Sequence, residues 1–449
     1  MKCVKRSSLI KPVLGGVYPM ISHGKGIFLY DQTGKDYLDA SSGAVTANIG
    51  HGVQKINEAM LKQASEVSYV YRSQFTSEAA EQLADKIASL TKGDLQYSFF
   101  VNSGSEATET ALKIAIQYWQ EQNKPQKQKI ISRWMSYHGI TLGALSMSGH
   151  PIRRERFSTL LESYPTISPP YYYRCPYNVD DYTYGQMCAN ELETAIRRIG
   201  ADQIAAFIAE PIIGAAGAAI VPPDGYWERL KQICVEHDIL FIADEVMTGF
   251  GRTGKILASK HWGVEPDIVT FGKGMSGGYT PIAATVMTDK VMEPIMKGSK
   301  LIIGGHTLSA NPLSCAVSLA VLNYIEKHNL ADRAAETGAY LIKQLQARQE
   351  RFSFIGDVRG KGLLIGIEFV QNQQTKEPLP KRIDATNEII KLGMQHGIIV
   401  YPAAAGLDGV TGAAIIIAPP LTISLGECDE LLSRLDQVFY AFRAKLARE

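Results

Sequence analysis

The segment Ile239-Leu240-Phe241-Ile242-Ala243-Asp244-Glu245-Val246 reads as five apolar residues followed by two carboxylates and a valine. An apolar run of strand length, with no polar alternation, predicts a strand covered on both faces. Residues 224–237 before it carry a helical pattern, with Asp224 expected to open the helix. Short apolar runs recur at Ile204–Ala209, Ile268–Phe271 and Ile282–Val286. Strands separated by helices imply β-α-β units and a mostly parallel sheet, an α/β fold.

The same reading extends both ways. Leu83, Ile87 and Leu90 mark a helix face over 78–89; Ser98–Val101 and Lys129–Arg133 read as strands, and 105–118 as a helix. Residues 26–31 and 37–39, around Thr33-Gly34-Lys35, read as a hairpin. After about residue 311 helices dominate (311–326, 330–350, 382–396, 427–446), with strands at 362–369, 398–401 and 414–417. That is an α+β texture. The Pro- and Tyr-rich stretch 163–181 reads as an ordered surface loop.

At 449 residues the chain is long enough for two or three domains. Its 46 basic and 45 acidic residues give a net charge of +1, no footprint for nucleic acid or an anionic membrane. An apolar content of 45% excludes disorder over most of the chain. No apolar run reaches the roughly 20 residues of a spanning helix. The N-terminus lacks an apolar signal core, so a soluble, cytoplasmic protein is expected. The six cysteines, Cys3 among them, are scattered and suggest neither a disulfide framework nor a metal site.

Four polar segments follow predicted strands, at the sheet edge where α/β proteins bind ligands. Asn102-Ser103-Gly104-Ser105-Glu106 opens a helix; the N–H groups of Gly104 and Ser105, with the Ser105 hydroxyl, suit a phosphate, and Ser105 also suits a plain helix cap. Asp244-Glu245 suits a metal, a base, or the partner of a protonated ring nitrogen. The following Gly249-Phe250-Gly251-Arg252-Thr253-Gly254 has the spacing of a dinucleotide loop, but no long helical pattern follows it. Lys273, in Phe271-Gly272-Lys273-Gly274, stands among small residues where a lysine can lose its proton and act as a nucleophile. Tyr137, in Tyr137-His138-Gly139, can stack on a flat ring. A phosphate cup, a stacking aromatic, a carboxylate and a lysine together suit pyridoxal 5'-phosphate, with the lysine forming the aldimine and the ring serving as electron sink.

These segments, with Ala209-Glu210-Pro211, Gly305-His306-Thr307 and Asn311-Pro312, resemble in order those of the class III (omega) aminotransferases, fold type I pyridoxal-phosphate enzymes. The resemblance runs from the Gly26–Asp31 stretch to Ala418-Pro419-Pro420-Leu421. It implies a large cofactor domain over 56–325 and a small α+β domain built from both chain ends, 1–55 and 326–449. It implies Lys273 as the internal aldimine lysine and proton carrier, and Asp244 on the pyridine nitrogen with Glu210 in support. Val246 and Tyr137 are to flank the ring, with His138 beside them. Ser103, Gly104 and Ser105 are to hold the phosphate, joined by Thr307 of a neighbouring subunit. A homodimer with shared sites, or a tetramer, follows, as do an amino donor and a keto-acid acceptor. Glu245 and Arg252 are expected to form a structural ion pair.

Two departures bear on substrate. Relatives that use 2-oxoglutarate usually carry an Arg where Ile416 stands and its partner Glu where Ala215 stands. With both missing, pyruvate is the expected acceptor, and Arg72, Arg153, Arg154 or Arg156 would have to take over the carboxylate. Tyr18, Ala44, Val45 and Tyr71 are expected on the substrate side, Val45 leaving room for a longer omega-amino donor. The alternatives within the resemblance are the aminotransferase that acts on 8-amino-7-oxononanoate in biotin synthesis, whose N-terminal Trp is absent beside Tyr18-Pro19, and a racemase or aminomutase. A non-catalytic binding protein would not need both Lys273 and Asp244.

Overall fold

The run at Ile239–Ala243 forms the middle of a seven-stranded sheet in the computed structural model, which describes residues 8–448. Cys3 and the first seven residues of the N-terminal stretch lie outside them. The strands are β1 (Leu95–Val101), β2 (Lys129–Arg133), β3 (Thr166–Ile167), β4 (Ile204–Ala209), β5 (Leu240–Asp244), β6 (Ile268–Phe271) and β7 (Ala283–Thr288). Their order across the sheet is β1-β7-β6-β5-β4-β2-β3. All neighbours from β6 to β3 pair in parallel, and β7 runs antiparallel to both of its neighbours.

Packing explains the apolar run. Leu240 and Ile242 face one side and meet Ala111, Ile114 and Ala115 of helix α1 (Gly104–Glu121). Phe241 and Ala243 face the other, where Trp227 of helix α2 (Tyr226–Glu236) lies with its ring 5.5 Å from Phe241. All four strand residues are buried, and each large one contributes roughly 1.5–3 kcal/mol. Asp224 does not open α2. Gly225 occupies the cap position at φ 80°, a left-handed conformation that favours glycine, and no side chain caps the helix.

Both chain ends meet outside this sheet. Strands Ile21–Lys25, Phe28–Asp31 and Asp36–Asp39 form the expected hairpin and its edge, and Ile398–Ile399 joins them in parallel, opposite Leu38–Asp39. A second small sheet runs in the order 355–361, 364–372, 412–417, 401–405. The strand at 355–361 has no counterpart in the sequence reading. Against this sheet the helix Leu425–Leu446 packs Phe439 and Phe442 onto Phe354 and Phe369.

The stretch 163–181 is more than a surface loop. Thr166–Ile167 extends the large sheet beside β2, and Tyr171 is buried at 3% exposure. Its hydroxyl donates to Glu368, which also pairs with Arg174 at 2.6 Å and Arg359 at 2.9 Å. A buried cluster of opposite charges thus joins this stretch to the second small sheet.

Candidate functional site

The carboxyl ends of β1, β2, β4, β5 and β6 converge on one edge of the sheet, and the chemistry-bearing residues follow from that. Asp244 is the last residue of β5 and is buried. Its Oδ2 accepts from His138 Nδ1 at 2.7 Å, and its Oδ1 accepts from the Val246 N–H and the Thr270 hydroxyl, both at 3.1 Å. His138 is fixed in turn: its N–H donates to Ser148 Oγ at 2.8 Å and its carbonyl accepts from Thr108 at 2.6 Å. Its Nε2 is buried without a partner.

Glu210 follows β4 directly. Its carboxylate accepts from the backbone N–H of Tyr137 at 3.2 Å and of Gly214 at 3.0 Å. Burial pushes its pKa up; nearby Asp244 acts the same way, while His138 and Arg133 oppose it. Lys273 stands just past β6 with a left-handed φ of 45°, a strain of about 1–2 kcal/mol for a residue with a Cβ. Half-buried, it donates from Nζ to the Ala44 carbonyl at 2.7 Å. Burial brings its pKa down to about 8, with Arg153 helping and Asp244 and Glu210 opposing.

The start of α1 forms the opposite wall. Ser103, not Ser105, is the helix cap: its Oγ accepts from the Glu106 N–H at 3.2 Å. Ser105 Oγ accepts instead from the Ile140 N–H at 3.0 Å. Gly104 and Ser105 lie in the first turn, where N–H groups have no intrahelical acceptor. A Cβ on Gly104 would come within 2.9 Å of Val246 Cγ1, so glycine lets the helix start press against that side chain.

Between these walls lies a cavity of about 240 Å³, lined by Gly104, Ser105, Tyr137, His138, Glu210, Asp244, Val246 and Lys273. These eight expected site residues are therefore together. The other expectations fall elsewhere within the single chain. Ser103 serves as the cap. Thr307, Tyr18 and Tyr71 are exposed, and the Val45 side chain is buried in the core. Glu245 and Arg252 are not partners. Glu245 accepts from Thr248 at 2.5 Å and the Ser259 N–H at 2.9 Å. Arg252, fully buried, donates to Leu363 O, Pro419 O, Ser42 Oγ and Asn48 Oδ1. The pair spacing misled because the turn between them points the two side chains to different parts of the core.

Thr270 is a site group that sequence reading missed, whereas Ala44, expected on the substrate side, meets Lys273 through its carbonyl. The signal for Thr270 was its place opposite Asp244 on the adjacent parallel strand, a register visible only after folding. The residues fit pyridoxal phosphate. The helix start with unpaired N–H groups suits its phosphate, and the buried carboxylate of Asp244 suits its ring nitrogen. The weakly basic amine of Lys273 suits its aldehyde. Among the described residues no helix is long and apolar enough to cross a membrane.

Comparison with known proteins places the chain in a family. The family model for class III aminotransferases matches residues 15–439. The uncharacterized aminotransferase YodT of Bacillus subtilis (strain 168) is 54% identical over 443 residues, covering 99% of this chain and 100% of that protein. The crystal structure of an (S)-enantioselective omega-transaminase from Thermomicrobium roseum superposes with a TM-score of 0.90 at 37% identity, over 95% of this chain and 93% of that one. An amine transaminase from an uncultivated Pseudomonas species, solved in its PLP-bound internal aldimine form, gives 0.91 at 34% identity, over 97% and 99%. Family match, near-complete coverage and shared fold together make the chain a class III aminotransferase, a pyridoxal-phosphate-dependent transaminase of fold type I.

Proposed function

We propose that the enzyme moves an amino group from an omega-amino acid or amine to a small keto acid, pyruvate before 2-oxoglutarate. The observation that carries the acceptor preference is Ile416. It is fully buried in the second small sheet, opposite Tyr401, and offers no guanidinium to a distal carboxylate. Ala215 lines the cofactor cavity where a partner glutamate would stand. The donor class is supported by the (S)-selective omega-transaminase and the amine transaminase whose folds this chain shares.

When bound, pyridoxal phosphate supplies a ring that takes up the electron pair of the substrate carbon bearing nitrogen. In this reading Lys273 Nζ carries the proton to and from that carbon, which a pKa near 8 permits at neutral pH. Asp244, held on both oxygens by His138, Thr270 and Val246, presents a fixed carboxylate to the ring nitrogen. The Gly104 and Ser105 N–H groups hold the phosphate, and Tyr137 and Val246 confine the ring between them. Thr307 reaches the phosphate of a second copy. The loop that carries it leaves Leu301, Ile303 and Leu308 exposed at 64%, 84% and 53%, an apolar surface for that copy to cover.

A matrix of amine donors against keto-acid acceptors tests the reading, with sedimentation testing the dimer. Keto product from an omega-amino donor, with pyruvate the better acceptor, is expected. Far better turnover with 2-oxoglutarate, or racemisation without keto product, overturns it; a monomer at micromolar concentration overturns the shared site.

A further inference from the structure

We infer that Arg153 is the specificity-determining residue that holds the substrate's carboxylate, at the wall of a second cavity beside the cofactor site. The inference rests on the transaminase reading above and adds the charged end of the substrate to it.

The second cavity, about 470 Å³, lies between the large sheet's edge and the small-domain strands at 401–405 and 412–417. Ala215 lines both cavities, so they adjoin. Arg153 lines the second one and lies over the ring of Tyr137, its guanidinium carbon 4.6 Å from the ring centroid. Tyr137 lines the first. Arg153 therefore stands where the two cavities meet.

Its guanidinium is uncommitted. No hydrogen bond or ion pair engages it among the described residues, and Ala215 offers no carboxylate. Tyr401 lines the same cavity, its hydroxyl without a hydrogen bond among the described residues, and it lies within the field of Arg153. The charge of Arg153 also reaches the Lys273 amine, so the group is close to the reacting end of the site. Lys381 and Asp384 are the other charges on the cavity wall, and Asp384 is bonded on both oxygens to the Asn387 amide.

The other candidate arginines are placed elsewhere. Arg72 donates to the Gly304 carbonyl and stacks on Phe99. Arg154 spends Nη1 on the carbonyls of Leu145, Ser146 and Ser148 at 2.9, 3.0 and 2.7 Å. Those bonds anchor the short helix Pro151–Arg154 and so fix the backbone beneath Arg153. Arg156 lines neither cavity. A planar guanidinium presents a fork that matches a carboxylate, which suits Arg153 to a substrate acid group.

Two measurements on the holoenzyme test this, for wild type, Arg153→Ala and Arg153→Lys. Calorimetric titration gives the affinity for propionate, a carboxylate with no amine. The donor half-reaction, followed by cofactor absorbance without keto acid, gives the preference for 4-aminobutanoate over butylamine. Propionate affinity and the donor preference should each fall about 10- to 100-fold in Arg153→Ala, with partial recovery in Arg153→Lys. Unchanged propionate affinity in Arg153→Ala overturns the assignment. So do equal losses on the two donors, which a mere packing role on Tyr137 would give. If neither donor reacts with wild type while propionate affinity still depends on Arg153, the proposed donor class fails and the carboxylate site stands.

Discussion

Replacing Gly104 with alanine sets two opposed effects against each other. Gly104 does not occupy the left-handed region, so its backbone accepts an alanine. That exchange ordinarily stabilises by about 0.4–1 kcal/mol, because the unfolded chain loses freedom. The new Cβ, however, would lie 2.9 Å from Cγ1 and 3.3 Å from Cγ2 of Val246, well inside the ~3.5–4.0 Å of ordinary carbon contacts. Val246 gives way poorly. It is β-branched and stiff at χ1, and its N–H is tied to Asp244 at 3.1 Å. Overpacking of this kind costs about 1–3 kcal/mol, so the net change is a loss of roughly 1–2 kcal/mol. Val246→Ala removes both offending methyls, and in that background Gly104→Ala should become neutral or stabilising. Urea midpoints of the four apoproteins give the coupling directly, expected at about 1–3 kcal/mol. Cofactor affinity should fall in the single Gly104→Ala variant. Additivity within about 0.5 kcal/mol would refute the claim that Val246 sets the clearance at the helix start.

Lys273 held near pKa 8 predicts that cofactor uptake by the apoprotein, followed by absorbance, speeds up through pH 7–9 with a midpoint near 8; a midpoint near the ordinary 10.5 contradicts it, and Lys273→Ala should abolish covalent attachment. Arg252→Leu strips donors from Asn48, Leu363 and Pro419 at about 1–3 kcal/mol each, so a loss of at least roughly 3 kcal/mol in urea unfolding is expected, and an unchanged midpoint would disprove it. Burial raises the Glu368 pKa, but Arg359 and Arg174 outweigh it and hold the group below its ordinary 4.5. A depressed carboxylate stabilises above the unfolded value and loses that contribution as pH falls through the folded one. Glu368→Gln should therefore cost about 3–5 kcal/mol at pH 7, with the difference from wild type shrinking only below pH 4.5; a constant difference down to pH 3 would count against the ion cluster.

What could be read from the sequence was what local chemistry determines. The five apolar residues at 239–243 announce a doubly covered strand because both faces meet helices, and the polar groups after the strands gather because parallel strands share one carboxyl edge. Partners far apart in sequence were not legible. Glu368 lies 197 residues from Tyr171, so the buried cluster that turns 163–181 into structure leaves no mark in that stretch. His138 was recognisable only as part of a motif, since its bond to Asp244 spans 106 residues. Asp224 looked like a helix start because aspartate often is one; the positive φ at Gly225 decided otherwise. Arg252 and Glu245 looked like a pair because they are close and opposite in charge. Each finds neutral hydrogen-bond partners instead, and burial without a counter-ion pushes the Glu245 pKa up and the Arg252 pKa down.

The joining of both chain ends has a consequence for biosynthesis. The Leu38–Asp39 strand finds its parallel neighbour only at Ile398–Ile399, and Ala418 closes on Ala40 and Ser42 through bonds of 2.7 Å. By the time Thr288 has been synthesised every strand of the large sheet exists, while the hairpin at 21–39 still lacks its edge strand. Until residues 398–399 emerge, that hairpin is an open strand edge, a template for mispairing. Residues 398–418, though remote in sequence from Lys273, therefore decide whether residues 38–42 are sheltered.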